Sequence, residues 1–120
     1  MELMKQLNYL NAKFIMNRNV KFVYRILKPN EWNEFKKKNF FYGNSNDIDS
    51  GFIHLSTKQQ VEDTVKIHFK DCKEVVVLKL DVSEINENLR WEKSRNDSFF
   101  PHLYNHICIS NVKNFKIINV

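Results

Sequence analysis

The stretch GFIHLSTKQQV, residues 51–61, decides the fold more than any other part of the chain. Its first five residues form a short apolar run bounded by Gly51, which predicts a strand over 51–55. Ser56 and Thr57 are each followed three residues later by Gln, and this capping-box spacing predicts that a helix begins there. The stretch therefore predicts a strand that leads directly into a helix.

Four other runs rich in β-branched, aliphatic or aromatic residues predict further strands. They are Lys21–Leu27, Val75–Leu80, Leu89–Glu92 and Phe115–Ile118. Val75–Leu80, with the sequence VVVLKL, is apolar almost throughout and is predicted to lie in the centre of a sheet.

A second helix is predicted to begin at Pro29, because a proline lacks the N–H that would be unpaired at a helix start. The composition of Phe40–Asp49 is typical of a loop, and Asp81–Asn88 is predicted as a turn or short helical segment. Phe99–Tyr104 contains Pro101 and is predicted to be an edge or loop segment. Strands dominate without regular βαβ alternation, so the fold class is predicted as α+β with two short helices.

A length of 120 residues allows one domain, assigned here to 21–120, and excludes most larger architectures. Residues 1–20 are predicted to be an N-terminal extension. Its apolar residues recur every three or four positions from Leu3 to Phe14, which favours a loosely docked amphipathic helix. We expect a cytoplasmic protein because this segment has no secretory signal pattern, with an organellar transit segment as the alternative. The chain has no run long and apolar enough to cross a bilayer, so no membrane partner is expected.

The chain is basic, with a net charge of +5 and a sequence pI near 9.2. Its lysines are scattered, with the densest cluster at Lys36–Lys38, which favours a solvated basic surface over a polyanion-binding face. RNA is therefore only a weakly supported partner, and a monomer is expected. Cys72 and Cys108 have no metal-ligand spacing, so both thiols are expected to be free and no metal is predicted.

Two segments contain candidate site residues near predicted strand ends. His54 and Ser56 are two apart and would share one face of a strand. The helix that follows would offer unpaired N–H groups, which suit a phosphate. The alternative is a core histidine followed by a capping serine. Later in the chain, Arg90 and Glu92 alternate onto one strand face, although Glu92 with Arg95 could equally be a surface ion pair.

Aromatic and imidazole rings recur in the segment after that strand. His102, Tyr104 and His106 would share one face if the segment were extended, and could line a pocket. His68, on the second helix, is expected to be packed and outside the site. No histidine set has a specific metal-ligand spacing.

The order of these motifs resembles the domain-of-unknown-function 952 family over residues 21–120. The matching segments are VYRIL-x-P-x-x-W, D-x-D-x-GFIHLST-x-x-QV, HF, RWE-x-SR and FPHLY, beginning at Val23, Asp47, His68, Arg90 and Phe100. A glycine-rich turn usual in that family is replaced by Asn96–Ser98, and a glycine usual after FPHLY is replaced by Asn105. Neither turn change need disturb a site.

That family resembles, more distantly, the ADP-ribosyltransferase-like fold, with its split β-sheet, and within it the RNA 2′-phosphotransferases. The resemblance implies that Glu92 and His54 are catalytic. It implies ligand-binding roles for a further set: Arg25, Ser56, Thr57, Arg90, Ser94, Arg95, His102 and Tyr104. We expect these residues to converge on one cleft, with Arg25 or Arg95 at its rim.

The resemblance further implies that a small nucleotide-like ligand binds in this cleft. NAD is the expected substrate or ligand, with ADP-ribose or a related phosphorylated nucleotide as alternatives and ADP-ribosyl transfer as the implied reaction. Two other readings stay open. The domain could bind its ligand without catalysis, or it could be a 2′-phosphotransferase acting on RNA, although only four arginines are present.

Overall fold

The structure of the protein is a computed structural model that describes residues 20–120. Over this range it is a mixed α/β fold with eight strands and four α-helices. The strands are β1 (Phe22–Leu27), β2 (Phe40–Phe41), β3 (Ile53–His54), β4 (Glu74–Asp81), β5 (Leu89–Lys93), β6 (Phe99–Leu103), β7 (Ile107–Cys108) and β8 (Val112–Asn119). The helices are α1 (Pro29–Lys38), α2 (Ser45–Ser50), α3 (Val61–His68) and α4 (Val82–Ile85), and single 3₁₀ turns lie at 58–60, 86–88, 95–97 and 109–111.

The strands form three antiparallel sheets, ordered β1-β4-β8, β2-β7 and β3-β6-β5. The central position predicted for Val75–Leu80 is confirmed, because β4 pairs with β1 on one side and β8 on the other. Two backbone hydrogen bonds of 2.8 Å between Tyr24 and Ser56 join the first sheet to the third. The strand-to-helix stretch therefore also connects two sheets.

The main core lies between the sheets, and its members alternate along each strand. In β1, Val23 and Leu27 face this core, whereas Ile26 faces a smaller cluster that includes Val65 of α3. Trp91 of β5 is almost fully buried in the main core. Side chains on the opposite face of β5 are consequently left for the candidate site.

The structure has four α-helices where two were predicted. Helix α2 was missed, whereas α4 lies in the segment predicted as a turn or short helical segment. Helix α2 begins within the predicted loop 40–49, and its start is stabilised by a capping box between Asn44 and Asp47. Helix α4 begins after Asp81, whose carboxylate accepts the Ser83 N–H at 2.9 Å. Side chains that are typical of loops also cap helices, so the composition alone was ambiguous.

The prediction that Phe99–Tyr104 is an edge or loop segment is wrong, because β6 is the central strand of the third sheet. Pro101 is tolerated there because of where β3 ends. The Pro101 carbonyl accepts the N–H of Leu55 at 3.1 Å. The carbonyl and the N–H of one strand residue point to the same side, so the N–H that Pro101 lacks would also face Leu55. At this position the chain leaves β6 and Ser56 pairs with Tyr24 instead.

Residues 1–19 of the predicted extension lie outside the described residues, so its helical pattern is not addressed by the structure. Cys72 and Cys108 are both free, as expected from their spacing. Among the helices that the structure describes, none is long and apolar enough to span a membrane.

Candidate functional site

One face of the β3-β6-β5 sheet carries most of the candidate residues. His54, His102 and Arg90 are directly opposite one another across the three strands. Glu92 is opposite Phe100 in the next row. The other face of the same strands is apolar and belongs to the main core, so the alternation of β5 and β6 separates a polar face from a buried one.

Asp47 of α2 anchors one side of this face. Its two carboxylate oxygens accept hydrogen bonds from the two terminal nitrogens of Arg25, each at 2.8 Å. Oδ1 also accepts the backbone N–H of His54 at 3.0 Å and lies 2.7 Å from Nδ1 of its ring. Burial acts to raise the pKa of Asp47, but the bonds from His54 and Arg25 outweigh it and hold that pKa far below its ordinary value. Asp47 is therefore a buried anion that bonds both Arg25 and His54.

Glu92 organises the opposite side. Its Oε1 atom lies 2.9 Å from Nδ1 of His102 and accepts the hydroxyl of Tyr104 at 2.7 Å. Burial lowers the pKa of His102, and the hydrogen bond and charge of Glu92 offset only part of this effect. The bond to Glu92 raises the pKa of Tyr104, so its hydroxyl remains a donor at neutral pH. Arg90 lies over the Tyr104 ring, 4.7 Å from its centre.

Phe52 connects the two histidines. Its ring stacks on His102 with centroids 3.9 Å apart and also contacts His54 at 4.6 Å and Tyr104 at 5.4 Å. The centroids of the two imidazoles are 5.8 Å apart. The face is thus a cluster of four aromatic or imidazole rings between two carboxylates.

A second cluster of polar side chains lies beside α3. Ser56 is buried, and its Oγ lies 3.3 Å from Thr64 Oγ1. Thr64 Oγ1 also accepts a hydrogen bond of 3.2 Å from Nη2 of Arg95. The Arg95 guanidinium lies 5.0 Å from the centre of the Phe100 ring. Arg95 therefore stands next to the row that contains Glu92.

The remaining predicted site residues have other positions. Either Arg25 or Arg95 was expected at the rim; Arg25 is only 4 % exposed and lies on the core side, which leaves Arg95. Thr57 is buried at the start of the 3₁₀ turn, where its N–H is bound to Gln60 Oε1. Ser94 is exposed beyond the end of β5, and its N–H is bound to the carbonyl of Ser98.

The other two histidines, His106 and His68, have positions that differ from those expected. His106 contacts Phe40 and Tyr42, with ring centroids at 5.4 and 5.1 Å, and does not share the face of His102. His68, expected to be packed outside the site, is instead exposed on α3. Partial burial of its ring, followed by the charge of Arg95, lowers the pKa of His68.

Sequence reasoning missed three residues that complete the cluster: Asp47, Phe52 and Thr64. Asp47 was part of the quoted motif but was not singled out, because an aspartate in an Asn- and Ser-rich segment is usually exposed. The available signal was its partner, since the arginine within the apolar strand 21–27 requires a buried anion. Phe52 lies within the predicted strand 51–55 and was counted only as apolar.

One surface cavity lies beside this cluster, and a larger one lies over the first sheet. The smaller, of about 170 Å³, is lined by Tyr42, Asp47, Ile48 and Phe52 together with Gly51, Ile53, Leu103 and Asn105. The larger, of about 260 Å³, lies over the first sheet near Tyr24 and Phe115. We assign the chemistry to the face bearing His54 and His102 because the larger cavity contains no paired titratable group.

The arrangement suits acid–base chemistry and the stabilisation of positive charge. Two imidazoles are each bonded at Nδ1 to a carboxylate, and a tyrosine hydroxyl and an arginine are adjacent. Within residues 20–120, no group of three His, Cys, Asp or Glu side chains is placed to hold a metal ion.

The comparisons with known proteins agree with the motif order. The model of the family described as "Protein of unknown function (DUF952)" matches residues 26–115. The crystal structure of protein CC0527 from Caulobacter crescentus is 33 % identical, with a TM-score of 0.78, covering 82 % of this chain and 87 % of that one. The solution NMR structure of the same protein gives a TM-score of 0.74 over 82 % of this chain and 85 % of that one. None of the curated proteins matches.

Proposed function

Because the chain belongs to the DUF952 family, and residues of the family's motifs form the polar face, we propose that this face binds NAD or a related nucleotide such as ADP-ribose. The proposal includes an ADP-ribosyltransferase-like fold. The observation that carries it is the position of Glu92, whose carboxylate is held by His102 and Tyr104 on the same face as His54. A carboxylate fixed by two donors is preorganised for a developing positive charge.

The proposed reaction is the transfer of ADP-ribose from NAD to an acceptor hydroxyl. Nicotinamide leaves C1′ of the ribose with the bonding electrons, and the ribose acquires oxocarbenium-like charge. The Glu92 carboxylate stabilises that charge more in the transition state than in the ground state. The acceptor hydroxyl then bonds to C1′ and releases its proton to water.

Two features support nucleotide binding beside the reacting atoms. The 170 Å³ cavity next to Phe52 is lined by the exposed apolar side chains of Tyr42 and Ile48, which suits a flat base. Arg90 and Arg95 lie at the other end of the face and are the cations available for the pyrophosphate. The base and the phosphates would therefore lie on opposite sides of the ribose.

The test is a binding screen by ligand-detected NMR with NAD, ADP-ribose, AMP and a 2′-phosphorylated oligonucleotide, followed by nicotinamide release in the presence of NAD. We expect NAD and ADP-ribose to bind. Glu92→Gln should keep binding but reduce nicotinamide release by about 10²-fold or more. Glu87→Gln is the matched control, because it removes the same charge from an exposed turn residue.

The outcomes separate the alternatives. Binding of NAD without nicotinamide release supports a ligand-binding module without catalysis. Binding of the oligonucleotide alone supports a 2′-phosphotransferase acting on RNA. If none of the four probes binds, the proposed function is lost.

A further inference from the structure

The protonated nitrogen of each site histidine follows from its partner. Nδ1 of His54 lies 2.7 Å from Asp47 Oδ1, and Nδ1 of His102 lies 2.9 Å from Glu92 Oε1. An ionised carboxylate only accepts hydrogen bonds, so each Nδ1 must carry a proton. Asp47 is held as an anion by the two 2.8 Å bonds from Arg25. This pair therefore fixes the tautomer of His54.

When such a ring is neutral, its second nitrogen is a hydrogen-bond acceptor. No residue of the described part of the chain bonds Nε2 of His54 or His102. Neither atom is among the buried unpaired side-chain atoms of that part, which are Arg25 Nε and Trp32 Nε1. Both Nε2 atoms can therefore accept a hydrogen bond from a donor group of a bound ligand.

The two acceptors are neighbours. His54 and His102 are directly opposite on adjacent strands, and their ring centroids are 5.8 Å apart with the planes inclined at 66°. A pair of adjacent acceptors is complementary to a pair of adjacent donors, which a vicinal diol provides. An ionised phosphate has only hydrogen-bond acceptors, so its oxygens would face the lone pairs of the two Nε2 atoms without forming a hydrogen bond.

From this geometry we propose that His54 and His102 bind the two hydroxyl groups of a ribose diol through their Nε2 atoms, with Asp47 as the residue that positions His54. The proposal rests on the proposed nucleotide function and deepens it by naming the sugar as the part of the ligand that is read here. Arg25 holds His54 in place both through Asp47 and by its own hydrogen bond of 3.0 Å to the His54 carbonyl.

The first test needs no ligand. Long-range ¹H–¹⁵N NMR spectra distinguish the two tautomers of a neutral histidine. We expect Nδ1–H for both rings in the wild-type protein, and loss of this preference at His54 alone in Asp47→Asn. An Nε2–H tautomer at either ring of the wild-type protein would overturn the proposal, and this holds even if the variant fails to fold.

The second test compares AMP with its 2′-deoxy, 3′-deoxy and 2′,3′-dideoxy analogues, and with ribose 5-phosphate. Each missing hydroxyl should weaken binding about tenfold, which corresponds to one hydrogen bond. Equal binding of AMP and the dideoxy analogue would overturn the diol reading while the nucleotide function survives. Binding of ribose 5-phosphate but of no nucleotide would support the diol reading and remove the nucleotide function. Failure of every probe would remove both.

Discussion

Arg25 and Asp47 form a bidentate ion pair inside the protein, with both N–O distances at 2.8 Å and both side chains no more than 5 % exposed. The carboxylate also accepts the N–H groups of Asn44 and His54. The pair therefore joins β1, α2 and β3, and it determines where the first ring of the site lies.

Asp47→Asn should lower the free energy of unfolding by about 3–5 kcal/mol, because it leaves the Arg25 charge buried without its partner. Urea unfolding at pH 7 measures this. The control is Glu34→Gln, which removes an exposed ion pair with Lys38 and should change stability by less than about 1 kcal/mol. Similar small changes in both variants would show that the buried pair contributes little.

The stability of the protein should fall as the pH is lowered through about 4. The pKa of Asp47 is depressed in the folded state, whereas an unfolded aspartate titrates near about 3.9. The stabilisation is therefore fully present above the unfolded pKa and is lost as the pH falls towards the folded one. Urea unfolding at pH 6, 5, 4 and 3 should show a steeper loss for the wild-type protein than for Asp47→Asn. Parallel curves would contradict this assignment.

His102 should remain neutral at pH 7, since burial lowers its pKa. Because the pKa of folded His102 is lowered, its contribution to stability is present above the unfolded pKa and declines as the pH falls below that value. An exposed ion-paired histidine has the opposite pH dependence. Glu92→Gln removes the interactions that raise the pKa, so the NMR titration of the His102 ring should move to still lower pH. Glu87→Gln should leave that titration in place, and a shift to higher pH in Glu92→Gln would contradict the geometry.

Gly43 and Gly51 provide a matched pair of substitutions. Both have positive φ, at 108° and 84°. A Cβ at Gly43 would lie 2.7 Å from Cβ of Asp47, whereas one at Gly51 meets nothing within 4 Å. We expect Gly51→Ala to cost about 1–2 kcal/mol from backbone strain, and Gly43→Ala to cost more because Asp47 must move. Thermal unfolding should rank the two variants in this order. Equal costs would mean that Asp47 can shift without penalty.

Most of the strands could be predicted from the sequence because β-branched and apolar runs leave little alternative. Val75–Leu80 and Leu89–Glu92 are recovered as β4 and β5 with small changes in length. Helix α2 could not be predicted, because its capping residues are equally common in loops. The central position of β6 could not be predicted either, since it depends on where β3 ends opposite Pro101.

The candidate site was predictable only in part. His54, Glu92, His102 and Tyr104 were placed on one face by strand alternation and by the resemblance, and the structure brings these four together. Asp47 was not recognised because it is seven residues from His54 and on a different element. Its role depends on the buried guanidinium of Arg25, which is a tertiary contact with no local pattern in the sequence.

The two hydrogen bonds between Tyr24 and Ser56 have a consequence for how the protein opens. They add to the Arg25–Asp47 pair, which already links β1 to the sheet bearing the histidines. With them, the amide of Ser56 is held by the same strand that pairs with β4, so the two sheets share one opening event. Native-state hydrogen exchange should therefore protect the amides of Tyr24 and Ser56 to the same extent, as members of one cooperative unit.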